Sequence, residues 1–210
     1  MKLTTKAGKN GKIHIYLDEE YKATVDADWW YSEKYHNYKE IDESELAELL
    51  SSVSFRRAYN KGLDLIDRRP HASGELARKL RERDFEKDAI DYAIKRLSQY
   101  GLVDDEKFAK LFAKELAEKK HFGNKRIIQE LMKRGVSREI AQNSVDSLDN
   151  DPVESIIIII RRKYYAKLND PKGVQSVISA LLRKGYSYDE IKKALKEIEA
   201  SEGENDEIQD

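Results

Sequence analysis

The feature that most limits how this chain can fold is an internal repeat with a period of about fifty residues. Each copy has an apolar stretch at helical spacing, then Lys or Arg, then a turn residue and a second apolar stretch. The turn residue is Asp84 in the first copy, Gly135 in the second and Gly185 in the third. Each copy therefore predicts a helix with cations at its negative end, a tight turn and a second helix. The aligned segments are residues 80–85, 131–136 and 181–186.

A third helix opens each copy, because large apolar residues recur at intervals of four before the aligned segments. The matched sets are Phe55, Tyr59 and Leu63, then Phe108, Phe112 and Leu116, then Ile156, Ile160 and Tyr164. Helical repeats of this length bury a face against each neighbour. We therefore predict a mainly α fold, in which three tandem three-helix modules form an elongated curved array. The modules are predicted at residues 53–99, 103–149 and 151–199.

The first forty residues read differently from the repeat. Residues 1–40 contain two β-prone runs, at 13–17 and 21–25, and the tight-turn signal Asn10-Gly11 stands just before the first run. This pattern predicts a small β-meander or hairpin. The adjacent Trp29-Trp30 is interpreted as part of a small core beside the meander, and an exposed anchor for a partner is the alternative.

Two further segments flank the modules. Residues 41–52 predict a linking helix with Asp42 or Ser44 as its N-cap, and acidic residues follow in the first turn. Residues 200–210 are rich in acids and predict a disordered tail.

The five consecutive isoleucines at 156–160 raise the question of a membrane anchor. Five apolar residues fall far short of the roughly 20 that a membrane-spanning helix needs. Asp151 and Pro152 are a good N-cap and first helical residue, so the run is predicted to be the opening helix of the third module. Because apolar groups lie all round, this helix should be packed on more than one side. A buried strand is the alternative, since isoleucine favours strands. A cytoplasmic protein without membrane contact is expected.

Charge is distributed unevenly along the chain although the formal net charge is only −1. Residues 53–198 carry 32 Lys and Arg against 23 Asp and Glu, whereas residues 1–52 carry 7 against 11 and residues 199–210 carry 0 against 6. A basic middle section between acidic flanks favours a polyanionic or acidic partner. Helical proteins also carry charge on their solvated faces, and that explanation stays open.

No pattern in the sequence indicates a catalytic, metal or cofactor site. Cysteine is absent, and the sequence has no phosphate-binding loop, dinucleotide fingerprint or serine elbow. The pair Asp104-Asp105 stands at a helix start, where capping explains it better than acid–base chemistry. The histidines are predicted to be surface or loop residues: His14, His36, His71 and His121. Binding is therefore a better hypothesis than catalysis.

Basic residues cluster at equivalent helix ends of the repeat, and a periodic basic edge would suit a nucleic-acid backbone or a protein filament. The alternative is that these cations only cap helix C-termini. The candidate contact residues are Arg68, Arg69, Arg78, Arg81, Arg83, Lys125, Arg126, Lys133, Arg134, Arg161, Arg162, Lys163, Arg183 and Lys184. Reversing the charge of Lys125, Arg126, Lys133 and Arg134 together is expected to leave the fold intact.

Three segments, in this order and spacing, resemble the motifs of the RecX regulatory family. Residues 68–80 (RRPHASGELARKL) are similar to its R-x-x-S-x-x-E-L-x-x-K-L segment. Residues 100–109 (YGLVDDEKFA) and 122–136 (FGNKRIIQELMKRGV) resemble the two motifs that follow. Ser73 fits its motif only loosely, and Asp84 replaces the turn glycine in the first copy.

The resemblance implies a non-catalytic modulator of the RecA recombinase, acting in recombination, DNA repair and the SOS response. Such a protein lies in the groove of the RecA–single-stranded DNA filament and restrains ATP hydrolysis and strand exchange. On this reading the partners are the RecA filament and single- or double-stranded DNA, no cofactor is needed and the chain is a monomer. The alternative function is a helical-repeat module that contacts DNA phosphates without a protein partner.

Overall fold

The computed structural model describes residues 1–206, and of residues 202–206 it describes the backbone alone. The chain forms two compact units. The first consists of Met1–His71 and Leu76–Val103, and the second of Ala72–Glu75 and the chain from Asp104 onward. An elongated, curved arrangement of the modules stays a prediction.

The chain begins with a three-stranded antiparallel sheet in the order β1-β2-β3, which confirms the predicted meander. Its strands are β1 (Leu3–Ala7), β2 (Lys12–Leu17) and β3 (Glu20–Asp26). The Asn10-Gly11 turn has left-handed backbone at both residues, as a type I′ hairpin turn requires. Alternate residues of β2 are buried, so one face of the sheet forms a core.

Two short helical segments, α1 (Ala27–Ser32) and a 3₁₀ turn (Lys34–Asn37), lead from the sheet to α2 (Glu43–Arg68). Trp30 is buried in the core between the sheet and α2, and Trp29 packs against the same core. The core interpretation of the tryptophans is therefore confirmed, and the exposed-anchor alternative is wrong.

The helix α2 is continuous over 26 residues, whereas the sequence predicted a linking helix at 41–52 and a separate module helix from 53. Asp42 is its N-cap, and the reciprocal bonds with Glu45 complete a capping box. No proline or glycine stands at the boundary between residues 52 and 53, where the two predicted helices would meet, so nothing interrupts the helix there.

The first module consists of α2, α3 (Ser73–Arg81) and α4 (Lys87–Gln99). Leu76 and Leu80 of α3 pack with Ile90 and Leu97 of α4 in one buried cluster. A Cβ placed on Gly62 of α2 would lie 2.7 Å from a methyl carbon of Leu97, so these two helices approach too closely for a larger residue.

The second module consists of α5 (Asp105–Lys120), α6 (Asn124–Lys133) and α7 (Arg138–Asp146). Asp104 is the N-cap of α5 and accepts the amide of Lys107 at 2.9 Å, so the capping interpretation of this carboxylate is confirmed. Asp105 has a different role, because it accepts both the amide and the hydroxyl of Ser73 at the start of α3.

The third module consists of α8 (Pro152–Ile159), a π-helical turn (Ile160–Tyr164), a 3₁₀ turn (Tyr165–Lys167), α9 (Pro171–Arg183) and α10 (Tyr188–Asp206). The isoleucine run is helical and begins at the Asp151 cap and Pro152, so the strand alternative is wrong. Three of the five isoleucines are buried and two are half-buried, which agrees with packing on more than one side.

The predicted register of the opening helices needs correction in the first two modules, whereas Ile156 and Ile160 of the third are buried as predicted. The fully buried pairs, four residues apart, are Ala58 and Gly62, Ala109 and Ala113, and Ile156 and Ile160. The aromatic residues matched with them in the sequence, such as Phe55 and Phe108, are only half-buried. Small residues face inward in the first two modules because the helices pack closely there.

The C-terminal helix also differs from the prediction. Helix α10 continues through Asp206, so the backbone is helical over residues 200–206 of the segment predicted as a disordered tail. Residues 207–210 lie outside the described part of the chain.

Candidate interaction surface

The same turn ends α3, α6 and α9, at the positions aligned in the sequence. The residue in the left-handed conformation is Asp84 (φ 61°), Gly135 (φ 83°) or Gly185 (φ 97°). In each copy the next amide bonds back to the carbonyl of the aligned leucine, as in a Schellman motif. These bonds join Phe85 to Leu80 (3.4 Å), Val136 to Leu131 (3.1 Å) and Tyr186 to Leu181 (3.3 Å). Asp84 therefore takes the backbone role of the glycine.

Two adjacent cations precede each glycine of this turn. In the structure the first cation of each pair faces solvent and the second contacts other parts of the protein. Lys133 and Arg183, the last residues of α6 and α9, are exposed. Among the residues whose side chains are described, Lys133 has an ion pair only with Glu130 on its own helix, at 3.1 Å. The first module carries an acid, Glu82, at the equivalent position. The exposed cation therefore recurs in the second and third modules alone.

The second cation of the pair in α6 turns inward. Arg134 Nη1 lies 3.3 Å from both carboxylate oxygens of Glu75, a residue that is 4% exposed. The guanidinium also lies over the ring of Phe112, with 5.2 Å to the ring centroid. Arg134 thus holds a buried carboxylate inside the second unit, and it is not a free contact residue.

Lys184 occupies the equivalent position in the third module and also turns inward. Its ammonium donates to the carbonyl of Lys120 at 3.0 Å and lies over the ring of Phe122. Burial lowers the pKa of Lys184, and the nearby charge of Lys163 lowers it further. The ammonium therefore contributes to packing between the second and third modules.

Backbone segments meet at both of these turns. A Cβ on Gly74 would lie 2.5 Å from the carbonyl oxygen of Gly135, and one on Gly123 would lie 2.5 Å from the carbonyl carbon of Gly185. The second contact carries backbone hydrogen bonds, from the amide of Gly123 to Lys184 and from the amide of Lys125 to Gly185. The turns are therefore packing joints, and only their outer cations face solvent.

The remaining cations of α6 divide in the same way. Lys125 is exposed, whereas Arg126 is half-buried and pairs with Glu130 at 2.8 Å. Reversal of Arg126 or Arg134 would place a new carboxylate at a half-buried position beside an existing one, whereas Lys133 meets Glu130 at an exposed position, where water screens the charges. The expectation that the four-residue reversal spares the fold therefore needs correction: it applies to Lys125 and Lys133 only.

Three predicted cations lie together in the π-helical turn that follows the isoleucine run. Arg161, Arg162 and Lys163 are all exposed there. Arg161 reaches the hydroxyl of Ser201 at 3.4 Å, and Lys163 lies over the ring of Tyr164. A π-turn widens the helix and is frequent at functional sites.

The predicted cations of the first unit lie at the ends of α2 and α3, and all of them are exposed. Arg69 and Arg83 donate to backbone carbonyls, of Pro70 at 2.9 Å and of Lys79 at 2.7 Å. The exposed set is Arg68, Arg69, Arg78, Arg81 and Arg83.

Sequence reasoning missed a second group of cations in the first unit, on α2 and β2. Arg56, Arg57, Lys61 and Lys12 line one cleft beside the sheet. The spacing of four residues between Arg57 and Lys61 could have indicated that these two cations share a face of α2, but the partner strand could not be known from the sequence.

The described residues hold no group of three or more His, Cys, Asp or Glu side chains that could bind a metal ion. His71 lies in the loop between α2 and α3, in agreement with the prediction of surface or loop histidines, but it is only 5% exposed, and its Nδ1 lies 2.8 Å from the carbonyl of Arg69. No helix within the described part is long and apolar enough to cross a membrane.

The fold and the cations together define a helical-repeat protein with a basic, solvent-facing set of side chains. Three family models match successive segments: the first, second and third three-helix domains of RecX match residues 58–97, 104–144 and 149–195. The chain belongs to the RecX family of regulatory proteins, as its motifs predicted.

Similar proteins carry the same name. A "Regulatory protein RecX" of Caldanaerobacter subterraneus subsp. tengcongensis is 30% identical over 190 residues, which are 90% of this chain and 95% of that protein. One of Clostridium perfringens is 28% identical over 183 residues, 85% of each chain. A crystal structure of regulatory protein RecX has a TM-score of 0.73 and 21% identity, and covers 93% of this chain and 98% of its own. A RecX structure from Lactobacillus salivarius has a TM-score of 0.64 and 24% identity, and covers 70% and 97% respectively.

Proposed function

We propose that this protein is a non-catalytic regulator that binds the RecA–single-stranded DNA filament and restrains its ATP hydrolysis and strand exchange. It would act in the cytoplasm as a monomer without a cofactor and so modulate recombination and DNA repair. Membership of a family of regulatory proteins supports a protein partner, and the family motifs extend through all three modules.

The observation that carries the proposal is the repetition of an exposed cation at one position of a rigid turn. Lys133 and Arg183 end equivalent helices of consecutive modules, and the residue after each one is engaged inside the protein. Close backbone contacts at Gly135 and Gly185 hold both turns in place. Cations at fixed, repeated positions suit a partner whose own negative groups repeat, such as a filament.

The direct test measures ATP hydrolysis by RecA on single-stranded DNA while the purified chain is added. Hydrolysis should fall as the protein approaches a 1:1 ratio to RecA, and strand exchange should fall with it. Unchanged hydrolysis and strand exchange at saturating protein would contradict the proposal.

The second candidate function is binding to DNA phosphates alone, and the exposed cations in the π-helical turn favour it because they need no protein partner. The two functions differ in their response to salt. Binding through six to ten phosphate contacts should weaken about 10³- to 10⁵-fold between 50 and 200 mM salt. Association with a RecA filament should weaken much less, so one titration with free DNA and one with the filament separate the two functions.

A further inference from the structure

A cleft of about 240 Å³ lies in the first unit, between the sheet and the middle of α2. Four cations line it, together with two carboxylates. These are Lys12, Arg56, Arg57 and Lys61, and Asp26 and Asp64. The volume is below the roughly 300–1,000 Å³ of pockets for drug-sized ligands, so the cleft suits a small ligand or one group of a larger ligand.

The carboxylate at the centre of the cleft is already engaged. Asp26 accepts the ammonium of Lys12 on one oxygen at 2.5 Å and the amide of Asn60 on the other at 2.8 Å. The hydrogen bond from Lys12 lowers the pKa of Asp26, and Asn60 adds to that effect, so the carboxyl is ionised at neutral pH. Each oxygen of Asp26 therefore already accepts one hydrogen bond.

Arg56 has an unsatisfied donor near this carboxylate. Its Nε is 4.0 Å from Asp26, too far for a hydrogen bond, and this buried nitrogen has no hydrogen-bond partner among the described residues. The guanidinium lies over the ring of Tyr59 at 5.6 Å, which holds its plane without using its N–H groups. Leaving this donor unpaired costs about 1–3 kcal/mol. The side chain as a whole is 34% exposed, so an anion in the cleft would meet the terminal N–H groups of Arg56 and not its buried Nε.

Its neighbour Arg57 supplies a second guanidinium. Arg57 is exposed and lines the same cleft, and within the described part of the chain it has no ion pair or hydrogen bond. Lys61 lies one turn further along α2, 3.8 Å from Asp64. Two guanidinium groups at the mouth of a small cleft can present a fork of donors to one anion with several acceptor oxygens.

We propose that this cleft binds a phosphate group, with Arg56 and Arg57 as its main donors. The site is separate from the cations of the proposed function and does not depend on RecA binding. A carboxylate offers only two acceptor oxygens in one plane, whereas a phosphate offers three or four around a tetrahedral centre and suits two guanidiniums better. The group could belong to free phosphate or to the backbone of a nucleic acid, and these two sources share the recognition chemistry.

The test uses the ¹H–¹⁵N NMR spectrum of the full chain, in which the Nε–H of Arg56 is a direct reporter. The labelled protein is titrated with inorganic phosphate, and separately with sodium chloride at matched ionic strength. We expect the Arg56 signal to move saturably with phosphate and not with chloride. A shift that never saturates, or that chloride reproduces, would overturn the proposal.

A matched pair of double variants locates the site. The phosphate-dependent shift of the Asn60 amide signal measures affinity. Arg56→Gln/Arg57→Gln should weaken the phosphate affinity about ten-fold or more, because charge-assisted hydrogen bonds are lost. Lys87→Gln/Lys95→Gln removes two exposed cations of α4 in the same unit and should leave it unchanged. Equal phosphate affinity in both double variants would overturn the assignment even if both fold normally.

A short single-stranded oligonucleotide then distinguishes the two sources. If the oligonucleotide moves the Arg56 signal saturably at concentrations where inorganic phosphate does not, the site takes a phosphodiester. If phosphate alone moves it, the site takes the free anion. Absence of a saturable shift with both probes would end the proposal.

Discussion

Arg134 and Glu75 form an ion pair inside the second unit, in which one guanidinium nitrogen lies 3.3 Å from each carboxylate oxygen. Glu75 is 4% exposed, so its charge depends on the partners that surround it. Lys133, one residue earlier, pairs only at the surface. The two neighbouring cations therefore have different roles, structural for Arg134 and solvent-facing for Lys133.

Replacing each of these cations by methionine should separate the two roles. Arg134→Met should lower the free energy of unfolding of the second unit by about 1–3 kcal/mol, because a buried carboxylate loses a charged donor. Lys133→Met should change it by no more than about 0.5 kcal/mol, as for most surface substitutions. Hydrogen exchange of the α6 amides measures both. Similar effects for the two variants would show that the Glu75 pair contributes nothing specific.

Glycine is required at the turn of the second module for two reasons that a control can separate. Gly135→Ala introduces left-handed strain of roughly 1–2 kcal/mol and places a Cβ 2.7 Å from the backbone of Gly74. Gly101→Ala introduces the same strain at φ 67° with no atom within 4 Å of the new Cβ. Gly135→Ala should therefore destabilise by about 1–3 kcal/mol more than Gly101→Ala. Equal losses in hydrogen-exchange protection would mean that the backbone contact is unimportant.

Tyr186 predicts a pH dependence of stability at the alkaline end. Burial is the main cause that raises its pKa to about 12; a hydrogen bond with Ser155 opposes the shift, and the charge of Glu190 adds to it. The phenol of an unfolded tyrosine ionises near pH 10, so between about pH 10 and 12 the unfolded chain loses this proton while the folded chain keeps it. The second unit should therefore lose about 2–3 kcal/mol of stability across that window.

Tyr186→Phe is the control for this window. The variant cannot ionise at position 186, so its stability should fall less steeply between pH 10 and 12, although it loses the hydrogen bond to the carbonyl of His121 at 3.2 Å. Lys184 loses its proton in both proteins, so its contribution to the pH dependence of the free energy of unfolding cancels when the two are compared. Parallel pH profiles of urea unfolding for the two proteins would contradict the assigned role of the phenol.

The repeat and its turns could be predicted because they follow from local rules. A left-handed residue after a helix favours glycine, and aspartate tolerates the same conformation, so Asp84 could be placed in the turn from its alignment with Gly135 and Gly185. The caps Asp42, Asp104 and Asp151 were predictable for the same reason, since a short acceptor side chain before a helix bonds its free amides.

The orientation of the cations could not be predicted, because it depends on partners distant in sequence. Lys133 and Arg134 are adjacent and chemically similar, and only the position of Glu75, 59 residues away, turns one of them inward. The register of the first two opening helices was wrong for a related reason. Hydrophobicity alone predicts that Phe55 is more buried than Ala58. Close helix packing instead buries the smaller residue and leaves Phe55 stacked on Tyr92, with 4.9 Å between the ring centroids.

We predict that a substitution in the isoleucine run unfolds the third module without unfolding the first unit. Ile160 is fully buried, so Ile160→Asp buries a charge without a partner and should unfold the module around it. Both tryptophans, Trp29 and Trp30, belong to the first unit. The far-ultraviolet circular dichroism of the variant should therefore decrease while its tryptophan emission keeps the wavelength of the wild type. A red-shifted emission would show that the two units unfold together.

The last prediction concerns the exposed cations that support the proposed function. Lys133→Glu/Arg183→Glu should weaken inhibition of RecA ATP hydrolysis, because it reverses the two solvent-facing charges at equivalent turns. Each reversal at a helix C-terminus costs about 0.3–1 kcal/mol through the helix dipole, so the fold should survive. Lys110→Glu/Lys192→Glu reverses two exposed cations of the second unit that lie inside helices and should inhibit like the wild type. If both double variants inhibit RecA normally and melt like the wild type, Lys133 and Arg183 only cap their helices and the filament contact lies elsewhere.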